Sequence, residues 1–349
     1  MSLLNLLKKK CRVALFTTPS HSQRYFILNK FRNFYKYDIS ETEFHNPEKE
    51  LELSEQRAAK IYGTKATKYL TNGSTSGILA AVLSCVDKGE KVLIWKHSHP
   101  CHKNAAILAG AEIVYYELPQ NASFGVPQKT TPEIIEPYLR TQKIKAVIIT
   151  SPTYEGIVSD ITELKALCNR YNTYLIADEA HGALYPFSDN LPKSAVNTAD
   201  FTIQSLHKTA GGLNPTALLH TMCNADITAA LKLINTTSPS YPLLASIEAN
   251  INFLNSKRGR LAINNLINAV DDLKQSCTNC HFAGDDPTKI LVKVDGLNGY
   301  ELSEILYKRY KIEDEKTNER SSMLLCGLGT DIKKIEKLKK ALIAISQKT

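Results

Sequence analysis

Short apolar runs punctuate this chain of 349 residues. KVLIW (91–95), AEIVYYEL (111–118), KAVIITS (145–151), TYLIADEA (173–180), DFTIQS (200–205) and TALLHT (216–221) hold their hydrophobic residues together instead of alternating them with polar ones. A strand covered by helices on both faces has no solvent side to mark, so these runs predict buried parallel strands. Between them the spacing becomes helical. SGILAAVLSCVDKG (76–89) closes on a glycine, DITELKALCNRYN (160–172) opens with an aspartate able to cap a helix, and HKNAAILAGA (102–111) is a third such segment. Strands alternating with helices predict a doubly wound α/β domain around a mainly parallel sheet.

The two ends read differently. Residues 1–50 are aromatic, polar and irregular, which suggests an N-terminal arm set against a partner subunit. Its first stretch, MSLLNLLKKKCRVALF, places apolar residues before basic ones and lacks a long apolar core with a cleavage site. It reads as a short amphipathic element and not as a signal peptide. Residues 51–275 form the large domain and end in one long helical stretch, SPSYPLLASIEANINFLNSKRGRLAINNLINAVDDLKQ (238–275). A loop near 276–288 leads to TKILVKVDGLNGYELSEILYKRYKI, a strand followed by a helix. SSMLLCGLGT and a last helix, DIKKIEKLKKALIAIS, complete a small α+β domain over 276–349.

Composition narrows the function classes. Hydrophobic content of 43% and charged content of 22% are ordinary for a globular protein. No apolar run reaches the roughly 18 residues of a membrane span. The net charge of +8 comes from basic residues spread along the chain and mixed with acidic ones. With no aromatic platform or DNA-binding motif, this reads as a solvated surface and not a nucleic-acid or membrane interface. Eight cysteines without a secretion signal read as reduced thiols in a cytoplasmic protein, several of them filling the core. Cys277, Cys280 and His281 in CTNCH have the spacing of a haem or zinc motif, but no export signal or second ligand pair accompanies them. The better reading is coincidence in a polar loop, and no metal site is expected.

In open α/β sheets ligands bind beyond the carboxyl ends of the strands. YLTNGSTSG (69–77) puts Gly73, Ser74, Thr75 and Ser76 in a turn that opens a helix, a favourable place for a phosphate. A plain helix cap would look the same. TYLIA runs into DEAHG, which leaves Asp178 at a strand end, where it either faces a ligand or caps the next helix. DEAH also matches a helicase motif, but the phosphate loop such a protein needs is missing. FTIQSLHKT sets Ser205, His207 and Lys208 on the same edge. A lone lysine is usually a solvated charge. A phosphate cradle, a strand-end carboxylate and a lysine 30 residues later are together what pyridoxal phosphate requires. The lysine bonds the aldehyde, the carboxylate keeps the pyridine nitrogen protonated, and the turn holds the phosphate.

At these residues the chain resembles the ornithine/lysine/arginine decarboxylases, fold-type I (aspartate aminotransferase-like) pyridoxal-phosphate enzymes. TTPSHSQ, YDISETE, YLTNGSTSG, SPTYEGIVSDI, DEAHGALYPF, LPKSAVNTADFTIQSLHKTAGG, TTSPSYPLLASIEAN and DPTKILVKVDGLNGYELSEIL carry the resemblance in order along most of the chain. It implies that Lys208 forms the Schiff base and that Asp178 pairs with the pyridine nitrogen. Gly73, Ser74, Thr75, Ser76, Ser205 and His207 would surround the phosphate. His99 would stack on the ring, with His102 as the alternative, and Ala180 and His181 would lie against another face or edge. Thr237 and Ser238 would reach the phosphate of a partner subunit, which implies a homodimer with active sites at its interface.

The activity so implied is decarboxylation of arginine, lysine or ornithine, a reaction of polyamine biosynthesis, with Glu155 as the candidate partner of the substrate's distal cation. PSHS (19–22), HPC (99–101) and AGGLNP (210–215) depart from the family's usual PGHK, HKS and L-x-A-L-T-Q. The cofactor set is untouched by these changes, and the substrate stays open. Two other readings remain in play. One is a different fold-type I reaction, such as transamination, elimination or aldol cleavage, although Arg309 and Arg320 lack the context of a carboxylate clamp. The other is a non-catalytic paralogue, because the chain stops soon after the small domain whereas many members continue.

Overall fold

The computed structural model describes residues 2–10, 36–39 and 47–347. Its centre is a seven-stranded sheet in the order β1-β9-β8-β7-β6-β2-β3. The strands are β1 (Ala66–Leu70), β2 (Lys91–Trp95), β3 (Glu112–Tyr116), β6 (Ile144–Thr150), β7 (Tyr174–Asp178), β8 (Phe201–Ser205) and β9 (Ala217–Thr221). A two-stranded hairpin, β4 (Gln120–Asn121) with β5 (Val126–Pro127), lies outside the sheet. Five of the six apolar runs become strands of the parallel set. TALLHT departs from expectation. It forms β9, which runs antiparallel to both β8 and β1. Residues 206–216, between β8 and β9, hold a single helical turn, too little chain for the crossover a parallel partner needs.

Helices cover both faces. On one, Ile78, Ala81 and Val82 from the helix Gly73–Leu83 pack with Ile94, Ile148 and Ile203. On the other, Leu93, Val147, Ile149 and Leu175 meet Ile135, Leu164 and Leu167. Burying each such side chain is worth about 1.5–3 kcal/mol, and this double burial is why the strands read as continuous apolar runs. The helix Ile161–Arg170 starts as its sequence suggests, with the Asp160 carboxylate accepting from the Thr162 and Glu163 amides.

The long helical stretch is two helices, Tyr241–Asn255 and Lys257–Ser276. Ser256 breaks it: its backbone is extended, and its Oγ accepts from the Gly259 amide to cap the second helix. The amphipathic N-terminal element is a helix, Leu3–Lys10, and it packs on its own chain. Leu3 and Leu7 are buried with Tyr241 and Leu244, and the Leu3 amide donates to the buried Glu248 carboxylate. The rest of the arm as far as residue 46, apart from residues 36–39, lies outside the described residues, and so do TTPSHSQ and most of YDISETE.

The C-terminal part builds a second, antiparallel sheet in the order β10-β11-β13-β12. Its strands are β10 (Cys280–Ala283), β11 (Lys289–Val294), β12 (Lys316–Thr317) and β13 (Ser322–Leu325). The helix Gly299–Tyr310 opens with a capping box of Asn298 and Glu301, and the helix Ile332–Ser346 closes the chain. CTNCH is not a polar loop. It is a turn into β10, with Cys277 and Cys280 buried against Val292, Leu306 and Leu342. His281 faces solvent and pairs with Asp295. All seven described cysteines are free thiols. Among the described residues, no helix is long and apolar enough to cross a membrane.

One of the ties between the two sheets lies at Gly156. The amides of Asp285 and Asp286 donate to the Gly156 carbonyl, and Asp285 Oδ2 accepts from the Val158 amide. Gly156 has φ +90°, and an added Cβ there would come within 2.8 Å of the Lys289 side chain. The loop after β6 is therefore pinned to the second sheet beside the carboxyl ends of the parallel strands.

Candidate active site

Those strand ends deliver the site. After β1 the chain turns at Gly73, φ +74°, into the helix Gly73–Leu83, whose Asn72 cap makes no side-chain bond. The first amides of a helix have no partners within it, and here they open on a cavity of about 510 Å³. Strand β7 ends in Asp178, and β8 ends in Ser205 and passes into the single turn Leu206–Thr209 that carries Lys208. Asp178 and Lys208 lie 30 positions apart in sequence, yet both line this cavity.

Asp178 is buried and fully engaged. Its Oδ1 accepts from the Ala180 amide at 3.2 Å, and its Oδ2 accepts from His102 Nε2 at 2.7 Å. Burial alone would raise this carboxyl. The bond and charge of His102, followed by the charge of Lys208, outweigh burial and hold it below the usual carboxylate range. An anion therefore persists at the sheet edge.

Lys208 Nζ stands 3.1 Å from His181 Nε2. Burial lowers the Lys208 ammonium below its ordinary value, against the opposing pull of Asp178. His181 is pushed well below its ordinary value by burial and then by Lys289 and Lys208, so its ring is neutral and can accept from Lys208. His99 caps the helix Pro100–Leu108, its Nδ1 accepting from the Cys101 amide at 3.2 Å, and burial lowers it too. His207 Nδ1 donates to the Thr216 carbonyl at 3.1 Å.

Gly73, Ser74, Thr75, His99, Glu155, Asp178, Ala180, His181, His207 and Lys208 line one cavity. Four candidates do not. Ser76 is buried in its helix, its Oγ donating to the Gly73 carbonyl. Ser205 is buried at its strand end, and its hydroxyl has no partner. Thr237 and Ser238 are exposed in the loop before the helix Tyr241–Asn255 and lie away from this chain's cavity. Of the two histidines weighed for ring stacking, His99 reaches the cavity. His102 has no exposed surface and sits behind Asp178.

Cys101, His102 and Asp178 place one ligand-type atom each within 4.8 Å of one another. As a metal site the trio is poor: burial pushes the Cys101 thiol up to about 12, and His102 and Asp178 already bind each other.

Tyr154 and Lys316 are among the cavity residues that escaped the sequence reading. The Tyr154 ring packs edge-on against His181 with centroids 4.7 Å apart, and its hydroxyl donates to Glu315. Lys316 arrives from β12 and pairs with Glu155 at 2.5 Å. Tyr154 has a weak signal in its place beside Glu155. Lys316 has none, because it comes from the other sheet, 161 residues away.

The residues present fit pyridoxal phosphate on three observations. An anion-ready helix start faces the cavity, a buried hydroxyl at Ser205, at the strand end that leads to Lys208, lacks a partner, and a lysine of lowered basicity lines the cavity with a fixed carboxylate.

A family model described as Orn/Lys/Arg decarboxylase, major domain, matches residues 16–284. The uncharacterized protein YaaO of Bacillus subtilis is 30% identical over 308 residues, 82% of this chain and 63% of that protein. An arginine decarboxylase of Halalkalibacterium halodurans is 27% identical over 324 residues, 86% of this chain and 65% of that one. The chain thus spans somewhat less than two thirds of the length of these curated relatives. The E. coli constitutive lysine decarboxylase structure aligns with a TM-score of 0.82 at 19% identity, over 99% of this chain and 60% of that one. At that identity the match speaks for a common fold, that of the fold-type I enzymes. With most of its length, strands β1 to β9 included, matched by the family model, the chain belongs to the Orn/Lys/Arg decarboxylase family.

Proposed function

We propose that this protein is a pyridoxal-phosphate-dependent decarboxylase of a basic amino acid, releasing carbon dioxide and the corresponding amine. The observation that carries the reading is the convergence of Lys208, His181, His99 and the Asp178–His102 pair on one cavity at the sheet edge. When bound, the cofactor supplies an electron sink for the bond cleaved at the substrate α-carbon. The chain supplies the rest. Lys208, of lowered basicity, is the amine for the cofactor aldehyde. Asp178, kept anionic by His102, would pair with the pyridine nitrogen. The start of the helix Gly73–Leu83, with Ser74, Thr75 and His207, would hold the phosphate, and the unpartnered Ser205 hydroxyl would join them. His99 would cover the ring, with Ala180 and His181 beside it. Lys208, with neutral His181 as its proton partner, returns a proton to the α-carbon. Glu155 meets the substrate's distal cation.

A homodimer in the cytoplasm is part of the same reading, in which Thr237 and Ser238, exposed in this chain, would reach the partner's phosphate. Transamination has less support: Arg309 and Arg320 are both exposed, and neither lines the cavity. The test is an absorbance spectrum of the purified protein with pyridoxal phosphate, beside Lys208→Ala, with carbon dioxide followed on adding arginine, lysine or ornithine. A visible band lost in the variant, with gas from one of the three, is expected. A band without gas would move the chain to another pyridoxal-phosphate reaction, and no band would sink the cofactor assignment.

A further inference from the structure

The cavity has a second pole. Of the described residues that line it, two are carboxylates, Asp178 and Glu155. Asp178 is taken up by His102 and Ala180, so Glu155 alone is left to meet a cation on a substrate. Yet Glu155 already holds one: its Oε1 lies 2.5 Å from Lys316 Nζ. The same ammonium stands 5.1 Å from the centre of the Tyr154 ring. A carboxylate beside an aromatic face is a receptor for an alkylammonium. Its wall continues to the reactive lysine, because the Tyr154 ring packs on His181, and His181 Nε2 lies 3.1 Å from Lys208 Nζ.

The two partners of this ion pair are held unequally. Glu155 is buried on a loop tied by Gly156 to Asp285 and Asp286. The Lys316 side chain is 49% exposed and rides on a two-residue edge strand. The carboxylate is the fixed half of the receptor and the lysine its loose occupant. A half-exposed ion pair of this kind is weak, so a free ammonium can replace it.

We propose that Lys316 fills, in the resting enzyme, the seat of the substrate's distal ammonium, and that binding of an ω-amino acid of the lysine or ornithine type displaces it from Glu155. This rests on the basic-substrate reading above and narrows it to an alkylammonium end. Lys316 is then an internal competitor. It lowers apparent affinity by the fraction of time it occupies the seat, and it discriminates against substrates with no distal cation to expel it.

The test uses the full-length holoenzyme with Lys316→Met, Lys316→Gln and Glu155→Gln. KM is measured for lysine, ornithine and arginine. In parallel, borohydride-reduced holoenzyme, in which Lys208 no longer exchanges with amines, is titrated with 1,5-diaminopentane by calorimetry. Both Lys316 variants are expected to lower KM for lysine or ornithine roughly three- to tenfold and to tighten the diamine by the same factor. Glu155→Gln should weaken the diamine more than tenfold and erase the gain when combined with Lys316→Met. Unchanged or weakened diamine binding in both Lys316 variants would overturn the proposal, and a fall in KM confined to arginine would overturn the ammonium assignment. If no basic amino acid releases carbon dioxide but the diamine still binds tighter without Lys316, the decarboxylase reading fails and the receptor stands.

Discussion

The two poles of the cavity are built on different principles. At one, Asp178, His102 and Lys208 come from the ends of strands and the first turns of helices, inside a sheet packed on both faces. Both Asp178 oxygens have partners and His102 has no exposed surface. At the other, Glu155 and Tyr154 sit on a loop and meet Lys316, on a short edge strand of a separate sheet, and Glu315 just before it. The first pole is rigid because its charges are buried and cannot stay unpaired. The second is half exposed, and its ion pair can exchange. A fixed end suits a cofactor that stays, and an exchangeable end suits substrates that come and go.

The largest effect should come from breaking the rigid pole. Lys208→Ala is expected to abolish the visible cofactor band and to lower turnover about 10³-fold or more, read by spectrum and carbon dioxide release. Because burial holds the Lys208 ammonium below its ordinary value, the uncharged Lys208→Met should melt at a higher temperature than wild type near neutral pH when both lack cofactor. A lower melting temperature would contradict the burial argument.

Next is His102→Phe, which leaves Asp178 buried with one partner gone. Breaking a buried pair costs about 3–5 kcal/mol, so cofactor-free protein should melt well below wild type, and Asp178→Asn should lose cofactor affinity. An unchanged melting curve for His102→Phe would place the rigidity elsewhere.

Acid should find the same buried core. His220 is fully buried, and burial lowers it from the ordinary 6.5 to about 3. Below pH 6.5 the unfolded chain takes up a proton that the folded chain refuses. Stability from this group is complete above that value and falls as pH drops toward about 3. Asp178, lowered on folding, adds a further loss under more acidic conditions, where the unfolded chain protonates it first. Denaturant midpoints measured from pH 7.5 downward should decline, and His220→Gln should flatten the decline above pH 4. A profile identical to wild type would remove His220 from the account.

A smaller effect is expected at the exchangeable pole. Gly156→Ala imposes a side chain where φ is +90° and Lys289 stands 2.8 Å away. It should cost about 1–3 kcal/mol of stability and raise KM for a basic substrate more than it lowers kcat, because it shifts Glu155 without touching Lys208. Equal losses in both constants would mean that the two poles are coupled.

Much of the rigid pole is legible in the chain. Its residues follow apolar runs directly, so TYLIAD and FTIQSLHK announce both the strand and the group at its end. His102 could be found as a candidate but not assigned, because which of two histidines in HPCH turns inward depends on how the helix Pro100–Leu108 is capped. The antiparallel β9 was hidden for a related reason: an apolar run records burial on both faces but not direction. The break at Ser256 was masked by a helical period that continues across it. CTNCH looked like loop because its polar middle residues hide two buried thiols.

The sequence by itself determined the doubly wound sheet, the order of the candidate cofactor residues along it and the family, because local periodicity and strand-end position act within a few residues of each other. Only the tertiary structure decided that His102 backs Asp178, that β9 reverses, and that Lys316 comes 161 positions along the chain to sit on Glu155. Those contacts are made by side chains from different elements after packing, and no spacing in a single stretch of chain encodes them.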